Sequence, residues 1–372
     1  MKRWFPLGLS VVVLAMVGCD TTAPGPAASP APADSAGGGP VLAASIAPEW
    51  TALFDRESGW TGADGIFSIP DNSVDAPGTA ASGATTFLFS DTAIGEVQPD
   101  GSRAPGVRLV NNTLARLEGG APDPSRINFV WAGENGQPTA LVVPDTPNAQ
   151  PGEWYWNQDA IVRDGRLNSL FLRIGRPASG GFEVVGVSLV TFEVGEGLPT
   201  DIAQRDTPFF RPDQPGRGNI QFGAGILENT AEAGAPDPDG YLYVYGVQND
   251  PFNKKLLVAC LRPSDFGRFG LWRFWNGTTW VADLDEAVPV TDRISNELSV
   301  TPLADGRYLL VFQLDAISPR VAVRYGESPV GPWGEVQEVY TCPEAATDPD
   351  TFCYDAKAHP HLSAPGELLV SY

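Results

Sequence analysis

Histidine is almost absent. The 372 residues include two, His359 and His361, so a three-histidine metal site is excluded. Cations are also scarce: Lys and Arg number 24 against 45 Asp and Glu, for a net charge of −21. Such a chain has no basic stripe to neutralise phosphate or adsorb on anionic lipid, which excludes nucleic acid as a partner. No G-x-S-x-G elbow, P-loop or H-E-x-x-H is present, and nothing places a serine beside either histidine. Long helices are disfavoured, because 41 Gly and 35 Pro punctuate the chain throughout. Hydrophobic residues are plentiful, at 42% with 10% aromatics, which is enough to fold two domains or one large β architecture.

The first 18 residues read as a targeting segment. Lys2 and Arg3 precede an apolar run from Phe5 to Val17, too short to span a membrane as a mature helix. The run ends in Met-Val-Gly-Cys-Asp, in which a small residue before Cys19 resembles a bacterial lipobox. The resemblance implies cleavage before Cys19 and acylation there, and several acyl chains anchor stably. Residues 19–40 are Ala/Pro/Gly/Ser-rich and read as a disordered tether between lipid and domain. The expected location is the bacterial envelope, facing the periplasm or exterior. Cys342 and Cys353 share one loop and are expected to pair in an oxidising compartment, whereas Cys260, in KLLVACL, reads as a buried free thiol.

From residue 41 to 372 strand signals dominate, and one unit recurs. A first strand carries an acid or histidine, a turn follows, and a second strand is rich in Leu, Tyr, Phe and Val. The first strands read GADGIFSIP (62–70), NQDAIV (157–162), FGAGILEN (222–229), ISNELSVTP (294–302) and AKAHPHL (356–362). The second strands read TTFLFSDT (85–92), GRLNSLFLRI (165–174), DGYLYVYGV (239–247), DGRYLLVFQ (305–313) and PGELLVSY (365–372). Repeats at this spacing predict an all-β, five-bladed β-propeller with first strands lining the channel. FEVVGVSLVTFEV (182–194), LWRFWNGTTWVADL (271–284) and RVAVRYGESPVGPWGEVQEVY (320–340) read as outer strands, the second turning at Asn276-Gly277 in a type I′ manner. Trp272, Trp275, Trp280 and Trp333 are expected to pack between blades. Blade five, incomplete at the C-terminus, is expected to recruit residues 45–56 as a latch. Segments 95–156 and 196–220 read as long loops rimming the mouth.

GADGIFSIP followed by TTFLFSDT resembles the opening of the bacterial domains of unknown function numbered 4185 and 5005, with Ser90 in place of a glycine. ESPVGPWGE (327–335) and YDAKAHPHLSAPGELLVSY (354–372) resemble their later blades. The resemblance implies a propeller of the arabinanase, β-xylosidase and levansucrase type. It also implies carboxylates drawn from the inner strands of different blades. Some members of the 4185 family act on mycobacterial D-arabinan.

Glycoside hydrolysis needs two carboxyl groups flanking the scissile bond, one protonating the leaving oxygen and one activating water or attacking carbon. The matching residues are Asp64 as base or nucleophile, Glu297 as general acid and Asp159 as a tuning carboxylate. Asp91, Glu228 and His359 are expected to bind substrate, with Glu228 the rival acid. Each has a structural alternative: Asp64 as a turn residue before Gly65, Asp159 as an Asx cap, Glu297 as a partner of Arg293 or Arg324, and His359 as a buried hydrogen-bonded histidine. No cofactor is expected. The resemblance brings a central calcium into question near His359, although no D-x-D-x-D-G loop supports it. Three functions follow: a lipid-anchored glycoside hydrolase acting on an envelope or environmental polysaccharide, such as an arabinofuranose polymer; a carbohydrate-binding propeller without turnover; or a scaffold whose channel is merely packed. Paired carboxylates at the mouth favour the first, and aromatics without paired acids the second.

Overall fold

The computed structural model describes residues 11–16, 42–347 and 350–372. Five sheets, each built on four antiparallel strands, surround one channel. Blade one runs outward through Phe67–Pro70, Ala84–Phe89, Thr113–Glu118 and Ile127–Val130. Blade two has an interrupted inner strand, Trp154–Trp156 then Ala160–Arg163, followed by Arg166–Gly175, Glu183–Glu193 and Thr200–Asp206. Blade three is Ile220–Asn229, Tyr241–Asp250, Asn253–Leu261 and the Arg273–Trp275/Trp280–Val281 hairpin. Blade four is Leu298–Pro302, Tyr308–Gln313, Arg320–Gly326 and Gln337–Thr341. In blade five, Lys357–Ala358 and Glu367–Ser371 are continued by Val11–Met16 and then Leu42–Ile46.

Strand alternation explains the packing. Successive side chains of a central strand point to opposite faces, so each blade feeds two interfaces. Leu310 and Phe312 join blade three's cluster with Tyr243 and Val258, while Leu309 and Val311 join blade five's with Ala358 and Val370. Five such clusters fill the five gaps between blades. Trp272 stacks on Phe209 with ring centroids 4.0 Å apart, and Trp275, Trp280 and Trp333 pack against the blade three–four cluster, as expected.

Several expectations change. Segment 95–156 is no loop: Thr113–Glu118 and Ile127–Val130 within it are the outer half of blade one. Residues 200–206 likewise form the outer strand of blade two. The hairpin at Asn276-Gly277 closes through four residues, since Trp275 pairs with Trp280 and the Asn276 side chain accepts from the Thr278 and Thr279 amides. The latch is Leu42–Ile46, followed by the helix Pro48–Phe54. Val11–Met16, read above as the apolar part of a leader, lies here between that latch and Glu367–Ser371, since a β-branched apolar run also suits a buried strand. Cys19 and the tether fall outside the described residues. Cys342 and Cys353 are both free thiols, adjacent and hydrogen-bonded to each other rather than joined, and buried Cys260 is free as well.

Candidate active site

Each inner strand descends from one mouth of the channel to the other, so the residues preceding the strands converge at the first mouth. In blade one, Asp64 and Gly65 precede Phe67–Pro70. The Asp64 amide donates to Asp91 O at 3.0 Å, and the Ser90 amide donates to Asp64 O at 2.9 Å. The carboxylate is fixed from both sides: the Asp91 amide donates to Oδ1 at 2.7 Å and the Tyr354 hydroxyl to Oδ2 at 3.2 Å. Asp64 is thus both a turn residue and a half-buried carboxylate at the mouth.

Glu297 of blade four enters the same space. Gly65 has φ +58°, and a Cβ built there would lie 2.9 Å from Glu297 Oε1 and 3.2 Å from Ser90 Oγ. Only glycine satisfies both the backbone and the carboxylate at this point. Glu297 is 6% exposed, and its Oε2 is buried with no hydrogen-bond partner among the described residues. The salt-bridge alternative does not hold: Arg293 pairs with Asp315, and Arg324 faces Asp292 and the Gly334 carbonyl.

A third carboxylate was missed from sequence. Asp355, immediately before blade five's inner strand, accepts a hydrogen bond from the Gly65 backbone amide. Three acids from blades one, four and five therefore meet around one glycine. Burial, then the charges of Asp91 and Asp355, hold Asp64 well above the usual carboxylate range. Burial, then Asp355 and Asp64, do the same to Glu297. Burial pushes Asp355 up to about 7, with the Gly65 amide and Lys254 pulling it back. Burial in turn lowers Lys254 to about 8, with Asp355 opposing the shift. Three carboxyls this close cannot all be ionised, so the cluster keeps at least one proton at neutral pH, which an acid catalyst requires, and leaves another free to act as base.

Asp159 lies deeper. Its Oδ1 accepts from the Ala160 amide at 3.0 Å, and its Oδ2 from the Ile226 amide at 2.7 Å and from Lys357 Nζ at 2.8 Å. Lys357 also donates to Leu298 O at 3.2 Å. Asp159 is therefore an anchor joining blades two, three and five. Expected as the tuning carboxylate, Asp159 weighs less on Glu297 than Asp355 and Asp64 do.

Two expected binding residues point elsewhere. Glu228 sits near the end of its inner strand, at the far mouth, where it pairs with Arg163 and accepts from Thr230 Oγ1 at 3.0 Å. It is not a rival acid, since it faces the opposite end from Asp64. His359 is 2% exposed, with Nδ1 2.7 Å from Ser68 Oγ and Nε2 2.8 Å from Ser371 Oγ. Burial, then Lys357 and His361, hold it well below the usual histidine range. It ties blade five to blade one and does not line the channel. Asp91 stays at the mouth, where Oδ1 accepts from Asn111 Nδ2 at 2.9 Å and Trp156 Nε1 at 2.8 Å.

Below the mouth, a cavity of about 50 Å³ is lined by all five inner strands, including Ser68, Asp159, Glu228, Thr301 and Lys357. These residues do not fit a calcium. Both nitrogens of His359 are engaged away from the channel, and the Lys357 ammonium supplies the positive charge beside Asp159. Among the described residues no cluster of three His, Cys, Asp or Glu side chains has metal-binding geometry.

A family model described as a domain of unknown function, DUF5005, matches residues 48–372. The chain belongs to the DUF5005 family. The 5005 half of the resemblance read from the Gly-Asp-Gly strand is therefore the family itself. A search of curated proteins finds no match. Among solved structures, the chain is similar to a protein from Bacteroides ovatus ATCC 8483 described as a candidate hydrolase. That match has TM-score 0.63 and 18% identity, covering 87% of this chain and 89% of the other. The GH43_1 enzyme from Xanthomonas citri, crystallised with xylotriose, matches at TM-score 0.37 and 18% identity over 78% of each chain. An endo-arabinase from Bacteroides thetaiotaomicron VPI-5482 matches at TM-score 0.37 and 11% identity, over 74% of this chain and 84% of that one.

Proposed function

We propose that this DUF5005 member is a glycoside hydrolase of the bacterial envelope, held to the membrane through lipid on Cys19 in a mature form that lacks Val11–Met16, and that it cleaves a polysaccharide by two-carboxylate chemistry. The observation that carries this reading is the meeting of Asp64, Glu297 and Asp355 around Gly65 at one mouth of the channel. Asp64, oriented by the Asp91 amide and Tyr354, acts as base or nucleophile. Glu297, whose Oε2 lacks the hydrogen bonds that would favour ionisation, delivers the proton to the leaving oxygen. Burial, and then repulsion by Asp355, favour the protonated form of Glu297. An arabinofuranose polymer is the first substrate to try, followed by xylan and galactan. The test is release of reducing sugar by the soluble domain.

The tuning role makes a signed prediction. Asp355→Asn removes the negative charge that weighs most on Glu297, so the Glu297 pKa falls and the alkaline limb of the kcat/KM profile moves to lower pH. Asp159→Asn, which removes a charge that weighs less on Glu297 and is paired with Lys357, moves that limb less. Equal shifts in the two variants would return the tuning role to Asp159. Anchoring is tested by fractionation: Cys19→Ala is expected to move the protein from the membrane to the soluble fraction, and an unchanged membrane fraction would remove the anchor.

A further inference from the structure

Beside the carboxylates, blade two carries an aromatic corner with no role in the chemistry above. Trp156 lies on the upper part of the inner strand, and its Nε1 is bonded to Asp91, whose amide holds Asp64. Phe182 packs edge-on against Trp156, with ring centroids 4.7 Å apart and planes at 78°. Phe182 is nevertheless 62% exposed. It is presented by Gly180 and Gly181, with φ +87° and +83°, and no atom lies within 4 Å of a Cβ built at either. The two rings form the walls of a corner, and Asp91 forms its polar edge. Asp91 Oδ1 is committed to Asn111 and Trp156, while Oδ2 makes no hydrogen bond among the described residues.

We infer that Trp156, Phe182 and Asp91 form a subsite for a neutral sugar ring adjacent to the one being cleaved. The placing of this ring beside the cleaved one rests on the hydrolase reading; binding itself does not. The chemistry that fits is specific. A sugar ring presents apolar C–H groups on one face, which aromatic rings cover, and hydroxyls at its edge, which a carboxylate oxygen accepts. An anionic sugar is disfavoured, because the polar edge is itself an acid. An apolar peptide would leave Asp91 Oδ2 without a donor. The inference makes the protein a reader of at least two consecutive sugar units.

Calorimetric titration of the full domain carrying Asp64→Asn, which removes turnover, with xylotriose, cellotriose, β-1,3-galactotriose and an arabinan oligomer tests it. Phe182→Ala, at an exposed position, is expected to weaken binding of the best oligomer roughly three- to tenfold. Phe182→Trp is expected to restore it, and binding of the matching monosaccharide should be unchanged by either. On the otherwise unmodified protein, Phe182→Ala should raise KM for the oligomer. Equal oligomer affinity with and without Phe182 overturns the subsite while leaving the hydrolase reading intact. Weaker binding in Phe182→Ala with no turnover by the unmodified protein supports the subsite and overturns the hydrolase. No binding of any of the four overturns both.

Discussion

Asp64→Asn is expected to lower turnover by about 10²–10⁴-fold without harm to the fold, and Glu297→Gln to do likewise. An amide keeps the shape of the carboxylate but neither accepts nor delivers the proton. Asn at 64 retains an acceptor for the Asp91 amide, and the Tyr354 hydroxyl can turn to accept from the new amide nitrogen. The unfolding midpoint should not fall at neutral pH. In the folded state Asp64 and Glu297 are held well above the usual carboxylate range, chiefly by burial, so the fold binds protons more tightly there than the unfolded chain does. The stability each carboxyl contributes is present below its unfolded pKa and is lost as pH rises through its folded pKa. A neutral amide removes that loss. Denaturant titration at pH 4.5 and pH 7.5 checks the sign: the gap in stability between the two should narrow in both variants. Loss of turnover accompanied by a large fall in midpoint would mean that the residues hold the fold rather than the reaction.

The second large effect is at Lys357. Its ammonium lies 2.8 Å from Asp159 and 3.2 Å from Leu298 O, and both members of the ion pair are nearly sealed from solvent. Lys357→Met leaves Asp159 buried without its counter-charge, a change that costs on the order of 3–5 kcal/mol. The amides of Ala160 and Ile226 continue to solvate that carboxylate. The deficit should be largest at neutral pH and shrink as pH falls, because protonation of Asp159 removes the unpaired charge. Asp159→Asn in the Lys357→Met background should recover much of it. A Lys357→Met protein with an unchanged midpoint would show that the ion pair contributes little to the ring.

Much of this architecture is legible in the sequence because a propeller repeats. A first strand led by an acid, a turn and an apolar second strand recur with enough regularity to place five inner strands, and Asp64 and Glu297 sit where that rule puts them. The same rule reaches Asp355, which precedes Lys357 as Asp64 precedes Ile66. The inner strand of blade five is only Lys357–Ala358, so little alternation marks where it begins. Glu228 breaks the rule visibly, since it stands near the end of its strand, and strand direction alone sends it to the far mouth. The Asp159–Lys357 pair was not legible: 198 residues separate the partners, and no local pattern reports which charge a buried acid will meet. The outer half of blade one was missed because TLARLE carries Arg116 and Glu118, whose charges interrupt the apolar run that buries Leu114 on one face and Ala115 and Leu117 on the other.

The most direct test of the central claim, that the carboxylates of blades one and four hydrolyse a glycosidic bond, is reducing-end release from arabinan, xylan and galactan. The unmodified soluble domain and its Asp64→Asn variant are to be assayed side by side across pH 4 to 9. The expected result is release from at least one polymer by the unmodified domain, with activity lost at the alkaline side as Glu297 ionises, and none above background from the variant. Release that is equal in both proteins, or absent from the unmodified domain on every polymer it binds, would contradict it.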